Sequence, residues 1–449
     1  MSEGRTVRVE RISTTTRPVH PAGMLRFYPL GTPPSMSYFV LGDGKTTIGR
    51  AAENTISVDD EEMSRHHAVI ERREDRWQIA DCESANGLHL QGKRVTASTL
   101  NGGEVFRLGA TFFRFLREGL AAASGEHPAH TDEIVSGPAL DPVRTLLDRA
   151  AKQDLTVLVA GETGTGKELA ALQLHHGGNR RSGPFVPVNC SAIPEEIVES
   201  ELFGHVKGAF TGASADKLGL IRQAAGGTLF LDEIGELSMN SQAKLLRVLQ
   251  DRQVRPVGGA HTVTVDVRVV CATNRDLALQ VQQGEFRPDL YARLAELTVR
   301  LPTLRERIED IPLLVQHFIT KHAADKYVAS VEALELLCTR SWPFNIRQLE
   351  SAVRRAILLA GAGPRLMPEH FAEEEAAKGT GARANEGAPG PQISTAPSRP
   401  DNPQAARLEE TLRRHAGDAQ AAADELGISR SQLYRRAKKF GIQVGVYKP

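Results

Sequence analysis

The feature that most constrains the fold of this chain is a glycine-rich segment, residues 161–168, which reads GETGTGKE. It follows a short apolar run at 156–160, which predicts a buried strand, and it precedes residues 169–175, which predict a helix. A strand, a glycine-rich turn and a helix N-terminus form a phosphate cradle, because backbone N–H groups, the helix dipole and the Lys167 ammonium converge on phosphate oxygens. The strict pattern has Ser or Thr after the lysine, where this chain has Glu168.

A second apolar run, residues 226–233, predicts a strand that ends in two carboxylates, Asp232 and Glu233. Beside a phosphate cradle this pair suits ATP hydrolysis, with Asp232 holding Mg²⁺ and Glu233 polarising the attacking water. Water would replace the missing hydroxyl ligand of the metal. The plainer alternative is a strand that ends in a solvated acidic turn.

Length and composition set wider limits. The 449 residues are enough for two to four domains. The 55 Lys and Arg residues balance the 55 Asp and Glu residues, so only local clusters of charge can indicate a nucleic-acid partner.

The four cysteines lack C-x-x-C spacing, which argues against a zinc site and a disulfide framework. No apolar segment has the length of a membrane span or of a signal-peptide core, so we expect a soluble, cytoplasmic protein with no membrane partner.

The N-terminal quarter of the chain predicts a mobile polar leader, residues 1–22, followed by a β-sandwich at residues 23–118. The second region contains short apolar or alternating runs, including 68–71 and 77–80, separated by Gly, Asp and Asn turns. Several polar side chains lie at its predicted loops, where binding residues are commonly displayed. These residues are Arg50, Ser64, Arg65, His67 and Asn86.

This set of loop residues resembles a forkhead-associated (FHA) domain, a class that binds phosphothreonine peptides. The resemblance implies that Arg50, Ser64 and Arg65 bind the phosphate. It also implies that Asn86 binds the peptide backbone and that His67 braces the loop. The chemistry agrees, because an arginine fork with hydroxyl and amide donors suits a dianionic phosphate. Phosphate-independent docking is the alternative.

Residues 119–131 predict a linker, and residues 132–372 alternate strands and helices. This alternation, with strands at 185–189 and 263–273, predicts an α/β fold with a parallel sheet and right-handed crossovers. From Ile311 onward the pattern is wholly helical, which predicts a small helical lid that begins at about residue 305.

Residues 208–213 of the central region read GAFTGA. With this loop and the phosphate cradle, the region resembles the AAA+ domain of sigma-54-dependent transcription activators. In this family the GAFTGA loop contacts sigma-54, and Glu168 after the lysine is usual. The loop consists of Gly208, Ala209, Phe210, Thr211, Gly212 and Ala213. The two glycines favour a flexible loop tip that exposes the aromatic side chain between them. A buried Phe210 in an ordinary loop is the alternative.

The resemblance assigns further roles one residue at a time. Asn189 would be the switch that restrains Glu233 between nucleotide states, and Arg287 and Arg293 would be arginine fingers supplied to the neighbouring subunit. Such a finger neutralises charge in the transition state, so hydrolysis would depend on assembly. Without the family context, two arginines on one helix are better read as solvated charges. The implied nucleotide-binding residues are Gly161, Glu162, Thr163, Gly164, Thr165, Gly166, Lys167, Glu168, the first-sensor residues Thr273 and Asn274, and the second-sensor residue Arg347.

One departure from the family bears on the second sensor. Phe344 stands where the family normally has Gly, so we expect either a different backbone or a φ below zero at this position.

Residues 373–404 are rich in Ala, Gly, Pro and Ser and predict a disordered linker. Residues 405–449 predict helices at 405–415, 419–426 and 430–440, with a glycine turn at Gly427, which indicates a helix-turn-helix. This end resembles a Fis-type DNA-binding domain, and an exposed basic helix without a ligand is the alternative. The candidate DNA-contacting residues are Ser429, Arg430, Ser431, Gln432, Arg435, Arg436, Lys438 and Lys439.

The sequence therefore predicts a multidomain chain with a β-sandwich FHA domain, an α/β AAA+ P-loop ATPase with a helical lid, and an all-α helix-turn-helix. The resemblance implies a transcription activator that uses ATP and Mg²⁺, binds upstream promoter DNA and remodels the sigma-54 RNA polymerase closed complex. A phosphothreonine protein or peptide would control it. The active form would be a homo-oligomer, a hexamer in this family, with a dimer as the alternative at rest.

Two other functions stay open. An AAA+ remodeller of another protein target is disfavoured by the loop at 208–213. A DNA-binding phosphopeptide adaptor with an inactive ATPase is disfavoured by Glu233, Arg287 and Arg293.

Overall fold

The computed structural model describes residues 22–27, 35–117, 125–128, 134–361 and 363–372, together with residues 408, 410–412, 414–415, 418–427, 433 and 437. The chain divides into two compact units, Met1–Glu374 and Glu375–Pro449, and each is described by itself.

The first part of the larger unit is a β-sandwich, as predicted. Among the described residues one sheet has seven strands in the order β12-β2-β1-β11-β10-β7-β8, and the other has five in the order β4-β3-β5-β6-β9. The strands are β1 (Gly23–Phe27), β2 (Ser35–Val40), β3 (Thr46–Gly49), β4 (Ile56–Ser57), β5 (Ala68–Arg73), β6 (Arg76–Asp81), β7 (Leu88–Leu90), β8 (Lys93–Val95), β9 (Ala97–Leu100), β10 (Val105–Leu108), β11 (Thr111–Leu116) and β12 (Gly125–Pro128).

Alternation along the strands gives the seven-stranded sheet two buried faces. Successive side chains of a strand point to opposite faces. Phe113 and Phe115 of β11 belong to the core between the two sheets. Phe112, on the other face, belongs to a core that also contains Leu25 and Phe27 of β1 and side chains from beyond residue 300.

The central part is a parallel sheet with helices on both sides, again as predicted. Among the described residues its five strands have the order β14-β17-β20-β13-β21. These are β13 (Val157–Ala160), β14 (Phe185–Asn189), β17 (Thr228–Asp232), β20 (Arg268–Thr273) and β21 (Leu297–Arg300). The surrounding helices are α1 (Asp141–Ala151), α2 (Lys167–His176), α3 (Glu195–Phe203), α4 (Leu220–Gln223), α5 (Met239–Asp251), α6 (Leu277–Gln282) and α7 (Pro288–Leu294). Because the strands are parallel, the segments that follow β13, β17 and β20 meet at one edge of the sheet.

Two short antiparallel pairs project from this sheet: β15 (Gly204–His205) with β16 (Lys217–Leu218), and β18 (Gln253–Val254) with β19 (Val263–Thr264). The sequence predicted a single strand over 263–273, which is wrong. The chain turns between β19 and β20 because β19 pairs with β18, whereas β20 belongs to the central sheet. Asp266, at the turn, is held by two hydrogen bonds from the Arg180 guanidinium.

The lid contains α8 (Asp310–Ala323), α9 (Val331–Cys338) and α10 (Asn345–Ala360). The prediction of a wholly helical lid is wrong in one detail, since β22 (Val328–Ala329) and β23 (Arg365–Leu366) form a parallel pair that ties the α8–α9 connection to the end of the lid. Each strand has two residues, too few for an alternating pattern to appear in the sequence.

In the second unit, α11 (Ala419–Glu425) begins at Asp418, whose carboxylate accepts hydrogen bonds from the Gln420 and Ala421 N–H groups. Residues 408, 410–412 and 414, within the first helix predicted from the sequence, are helical, as are residues 433 and 437 within the third. An apolar cluster joins Leu408, Leu412, Ala422, Ala423, Leu433 and Ala437. No helix within the described ranges is long and apolar enough to cross a membrane.

Candidate functional site

The glycine-rich loop joins β13 to α2 and has the backbone of a phosphate cradle. Gly164 and Gly166 have φ values of 80° and 102°, which favour glycine. A Cβ on Gly164 would lie 2.2 Å from the Phe344 carbonyl oxygen, so a side chain there has no room. The Gly161 N–H donates to the Thr273 carbonyl at 3.1 Å, which joins the loop to the end of β20.

Lys167 begins α2 and turns its ammonium into the site. Its side chain is 7% exposed, and Nζ lies 3.1 Å from the Gly161 carbonyl and 3.4 Å from Glu233 Oε1. Glu168, the next residue, is exposed on the first turn of the helix. The buried lysine is therefore placed between the loop and the acidic strand end, where a point charge can meet phosphate oxygens.

The two carboxylates lie at the end of β17 with different surroundings. Glu233 has a left-handed backbone, φ 53°, which is uncommon for a non-glycine residue and is often found where function constrains the chain. Its Oε2 accepts the Asn274 N–H at 3.1 Å. Burial and the adjacent Glu233 carboxylate raise the pKa of Asp232. A divalent cation would relieve this repulsion, so the pair fits the Mg²⁺ that accompanies ATP.

The sensor residues lie on the same edge. Asn274 donates from Nδ2 to the Thr163 hydroxyl at 3.1 Å, while the buried Thr273 hydroxyl accepts the Arg275 N–H at 3.0 Å. Arg347, near the start of α10, is exposed, and its Cβ lies 3.1 Å from the point where a Cβ on Gly164 would stand. The structure therefore brings all three against the loop.

Asn189 is placed differently from the other predicted residues. It ends β14, and its Oδ1 accepts hydrogen bonds from the Ser191 N–H and hydroxyl at 2.9 and 2.7 Å. The Glu233 carboxylate accepts hydrogen bonds from Lys167 and Asn274. The switch role of Asn189 thus stays a prediction.

A cavity of about 220 Å³ opens beside the loop. Its walls combine Thr165 and Gly166 with apolar side chains from the segment before α1 and from the lid. The apolar members include Ile134, Val135, Leu140, Leu314, Phe318 and Ile346. A largely apolar cavity next to a phosphate cradle suits the base of a nucleotide.

The first turn of α10 supplies a residue that the sequence analysis missed. Asn345 is fully buried with φ 49°, and its Nδ2 donates to the Thr163 carbonyl at 3.0 Å and to Glu162 Oε2 at 3.1 Å. The hydrogen bond from Asn345 and the Arg305 guanidinium lower the pKa of Glu162. Phe344 has φ −109° and is 58% exposed, so the expectation of a φ below zero is confirmed. An Asn beside the expected glycine position was the available signal, because Asn tolerates a left-handed backbone.

The two candidate arginine fingers lie at opposite ends of α7. Arg287 caps its start and donates to the Asp289 carboxylate at 2.7 and 3.0 Å. Arg293, in the last turn, is exposed and lies 3.4 Å from Glu296. The carboxylates that pair with these two guanidiniums are themselves exposed or half-exposed, so each ion pair is weak.

The GAFTGA loop connects β15 to β16 and is closed by its own backbone. The Gly208 N–H donates to the Ala213 carbonyl at 2.9 Å, and Gly208 and Gly212 have φ values of 83° and 105°. Phe210 is 43% exposed, with its ring 5.0 Å from that of His205, and Thr211 is exposed. The alternative of a buried phenylalanine is thereby excluded.

The β18–β19 hairpin supports this loop, which the sequence analysis did not foresee. The Val206 N–H donates to the Val257 carbonyl at 3.1 Å, and the Val257 N–H donates to the Gly204 carbonyl at 2.8 Å. A Cβ on Gly258 would lie 2.7 Å from Ala209 Cβ. Two-residue strands gave no periodic signal from which this pairing could be predicted.

In the sandwich, three loops bring the predicted phosphopeptide residues to one end. The Arg50 N–H donates to the Ser64 carbonyl at 3.0 Å, and the Ala85 N–H donates to the Ser64 hydroxyl at 3.1 Å. Asn86 donates from Nδ2 to the Glu62 carbonyl at 2.7 Å. Arg50, Arg65 and Asn86 are exposed and Ser64 is half-buried, so cationic and hydroxyl groups face solvent together.

His67 lies beneath these loops and is fully buried. Its Nδ1 accepts the Ser64 N–H at 3.0 Å, so the ring proton lies on Nε2, which donates to the Gly87 carbonyl at 3.1 Å. Burial lowers the pKa of His67 and favours this neutral form. The predicted bracing of the loop is confirmed.

All eight candidate DNA-contacting residues, between 429 and 439, lie outside the described residues. Within the described part of the chain, no cluster of three or more His, Cys, Asp or Glu side chains could hold a metal ion.

Comparison with protein families gives matches along most of the chain. The sigma-54 interaction domain matches residues 134–300 and the AAA+ ATPase lid domain matches residues 305–387. The FHA domain matches residues 46–109, and the Fis family of bacterial regulatory proteins matches residues 404–440.

Individual relatives agree with these matches. The DNA-binding transcriptional regulator NtrC of Azospirillum brasilense is 49% identical over 243 residues, which are 54% of this chain and 50% of the relative, so the chain spans about half the length of that protein. The C4-dicarboxylate transport transcriptional regulatory protein DctD of Rhizobium meliloti is 40% identical over 343 residues, covering 74% of this chain and 69% of the relative.

Among solved structures, NtrX from Brucella abortus in complex with ADP is similar, with a TM-score of 0.50 and 31% identity over 70% of this chain and 69% of that one. The coverage of DctD and of NtrX, together with the matched domains, shows the family. The chain therefore belongs to the sigma-54-dependent transcription activators and combines an FHA domain, an AAA+ ATPase domain with its lid, and a Fis-family helix-turn-helix.

Proposed function

We propose that this protein hydrolyses ATP to remodel the sigma-54 RNA polymerase closed complex, that it binds upstream promoter DNA through its C-terminal domain, and that a phosphothreonine ligand of the FHA domain controls it. The observation that carries the proposal is the presence, in one domain, of a nucleotide cradle with two carboxylates and of an exposed aromatic loop between two glycines.

The residues of the cradle have separate roles in hydrolysis. Lys167 and the loop N–H groups would hold the phosphates, and Asp232 would hold Mg²⁺, which would supply positive charge beside the phosphate oxygens. Glu233 orients and polarises the attacking water, and its bond from the Asn274 N–H fixes the carboxylate toward the loop. ATP supplies the free energy of the cycle.

Assembly completes the site. Arg287 and Arg293 project from the surface of one subunit and would reach the phosphates bound by its neighbour in a homo-oligomer, a hexamer by analogy with the family. A cation supplied in this way is worth roughly 10³–10⁵ in rate in related phosphoryl-transfer systems. Hydrolysis would then be slow in any smaller resting form.

Movement can pass from the nucleotide to the loop through α3. This helix lies between Asn189, at the end of β14, and the first strand of the GAFTGA loop. If the Asn189 side chain left Ser191 for the Glu233 carboxylate, α3 would be displaced, and Phe210 and Thr211 would move with it against sigma-54. The β18–β19 hairpin, which is hydrogen-bonded to the base of the loop, would support it during that displacement.

The loops of the FHA domain would bind the phosphothreonine ligand that controls the protein. Arg50 and Arg65 with the Ser64 hydroxyl suit the charge and the acceptor oxygens of a phosphothreonine, and Asn86 suits the peptide backbone. The Fis-family domain would place the ring near its promoter, with Lys438 and Lys439 as phosphate contacts.

The experiment is ATP-dependent open-complex formation with purified sigma-54 RNA polymerase, with and without a phosphothreonine peptide. Thr211→Ala should keep the ATPase rate and lose open complexes, because it changes only the exposed loop. Ser214→Ala, just outside the loop, is the matched control and should keep both. Glu233→Gln should slow hydrolysis by roughly 10²–10⁴-fold and abolish open complexes.

Two results would contradict the proposal. Open complexes at the normal rate with Thr211→Ala would mean that the loop does not contact sigma-54, and the chain would then remodel another protein target. Normal transcription with Glu233→Gln would exclude ATP-driven opening.

A further inference from the structure

The second face of the seven-stranded FHA sheet is packed against the lid of the ATPase domain. Leu25, Phe27 and Tyr38 share one apolar core with Leu304, Ile311, Leu314, Leu337 and Trp342. The phosphopeptide residues play no part in this contact, because Arg50, Arg65 and Asn86 are exposed at the loops. The FHA domain is thus attached to the lid while its loops face solvent.

Two buried ion pairs accompany the apolar contact. Arg114 of β11 donates from Nη1 to Glu309 Oε2 at 2.5 Å and to the Glu306 carbonyl at 2.9 Å. The side chain of Arg114 is 12% exposed and that of Glu309 is 2% exposed. Arg107 of β10 donates from Nε to Glu335 of α9 at 3.0 Å. Ion pairs this deeply buried are strongly coupled, since removal of one partner leaves a desolvated charge.

Arg114 contacts a short segment, residues 303–310, whose other side touches the glycine-rich loop. From this segment Arg305 donates to Glu162 Oε1 at 2.6 Å, and the buried Arg307 donates from Nη2 to the Thr165 carbonyl at 3.0 Å. The Leu304 N–H donates to Asn345 Oδ1 at 2.8 Å.

The same segment also forms part of the wall of the apolar cavity beside the glycine-rich loop. Arg307 lines that cavity, and Asp310 accepts the Gly137 N–H at 2.7 Å, which ties the segment to the chain just before α1. Residues 303–310 therefore lie between the FHA sheet on one side and the base and phosphate parts of the nucleotide site on the other.

We propose that the FHA domain is a structural part of the nucleotide site, in which Arg114, acting through Glu309, holds residues 303–310 against the glycine-rich loop. Arg114 is a positioning residue and touches no nucleotide. The inference rests on nucleotide binding by the central domain and is independent of sigma-54, DNA and phosphopeptide.

The physical consequence concerns affinity for nucleotide. Without Arg114, the Glu309 carboxylate is left buried and unpaired, so the segment must shift to bring it to water. That shift moves Arg305 and Arg307 away from Glu162 and Thr165. The loop would then be reorganised whenever nucleotide binds, and the free energy of that reorganisation would weaken binding.

The test measures the Kd of a non-hydrolysable ATP analogue, adenylyl imidodiphosphate with Mg²⁺, for the full chain alone. We expect Arg114→Ala to raise this Kd by about fivefold or more. Arg114→Lys keeps a charged donor and should recover part of the loss. The matched control is Arg72→Ala, in the five-stranded sheet of the same domain, because its ion pairs with Asp43 and Asp75 are exposed and it should bind as the wild type does.

A second variant distinguishes a local effect on the nucleotide site from general misfolding. Glu309→Gln removes the buried charge but keeps the shape, and it should also raise the Kd. In the double variant the two effects should not add, because both remove the same pair. In steady-state assays the KM for ATP should rise more than kcat falls, a separation that general loss of folded protein does not produce.

The possible outcomes separate this inference from the proposed function. If the wild-type chain binds no nucleotide, the proposed function fails. If the wild type binds and Glu309→Gln, together with any folded Arg114→Ala, retains wild-type affinity, the FHA domain is only attached to the lid and the inference is overturned.

Discussion

At the residue scale, His67 shows how one buried side chain sets the geometry of a binding surface. It joins the Ser64 loop to the Gly87 loop with two hydrogen bonds that require the neutral ring. Burial lowers its pKa from the ordinary value of 6.5, with a smaller contribution in the same direction from Arg107, while Gly87, Asp81 and Asp60 oppose the shift. The folded state therefore resists protonation of His67.

The sign of the pH dependence follows. Below pH 6.5 the unfolded chain binds a proton at His67 more readily than the folded chain, so the stabilisation present above 6.5 is lost as the pH falls toward the lowered pKa. We expect the melting temperature of the FHA transition to fall between pH 7 and pH 5 less steeply in His67→Gln than in the wild type. Equal slopes in the two proteins would show that His67 does not titrate in this range.

At the scale of elements, most of the fold could be predicted because strands and helices carry periodic patterns. The runs at 68–71, 77–80 and 185–189 coincide with or lie within observed strands, and Lys167, Asp232 and Glu233 lie together at the predicted sheet edge. Phosphate-binding geometry is local in sequence, since a strand, a turn and a helix follow one another, and for that reason it could be foreseen.

The features that were missed depend on contacts between distant segments. The split at Asp266, the β22–β23 pair and the hairpin behind Phe210 each involve strands of two residues, whose pairing no local pattern encodes. The burial of Arg114 against Glu309 joins positions 195 residues apart, and a charged residue in a strand is ordinarily expected to face water.

The junction between the lid and the glycine-rich loop depends on Asn345, and its substitution tests that junction. Asn345→Ala removes the acceptor for Leu304 N–H and the donor to Thr163 and Glu162, and leaves buried groups unpaired. We expect a loss of about 1–3 kcal/mol in the free energy of unfolding, measured by denaturant titration. Asn345→Gly is the matched control, since it accommodates φ 49° and removes the same bonds. Wild-type stability in Asn345→Gly would show that backbone conformation, not hydrogen bonding, matters here.

At the scale of the whole molecule, the FHA loops and the lid are joined by contiguous contacts. Asp60, in the loop before Ser64, accepts the Thr111 hydroxyl at 2.7 Å and the Ala110 N–H at 2.9 Å, so it holds the β10–β11 turn. Arg107, just before that turn, donates to the Gly109 carbonyl at 2.7 Å and to Glu335 of the lid. A phosphopeptide that shifts the Ser64 loop would therefore disturb the lid contact.

If the contact between the FHA domain and the lid couples the phosphopeptide site to the nucleotide site, thermodynamic linkage requires that each ligand change the affinity of the other equally. A phosphothreonine peptide that binds the full chain should change the Kd of adenylyl imidodiphosphate by some factor, and the nucleotide should change the Kd of the peptide by the same factor. Isothermal titration calorimetry, with either the peptide or the nucleotide added first, measures this factor. The unphosphorylated peptide is the control. Arg107→Ala should bring the factor close to one, and Arg72→Ala should preserve it. A peptide that binds without changing nucleotide affinity would mean that the FHA domain acts by recruiting a partner, and that its contact with the lid carries no signal.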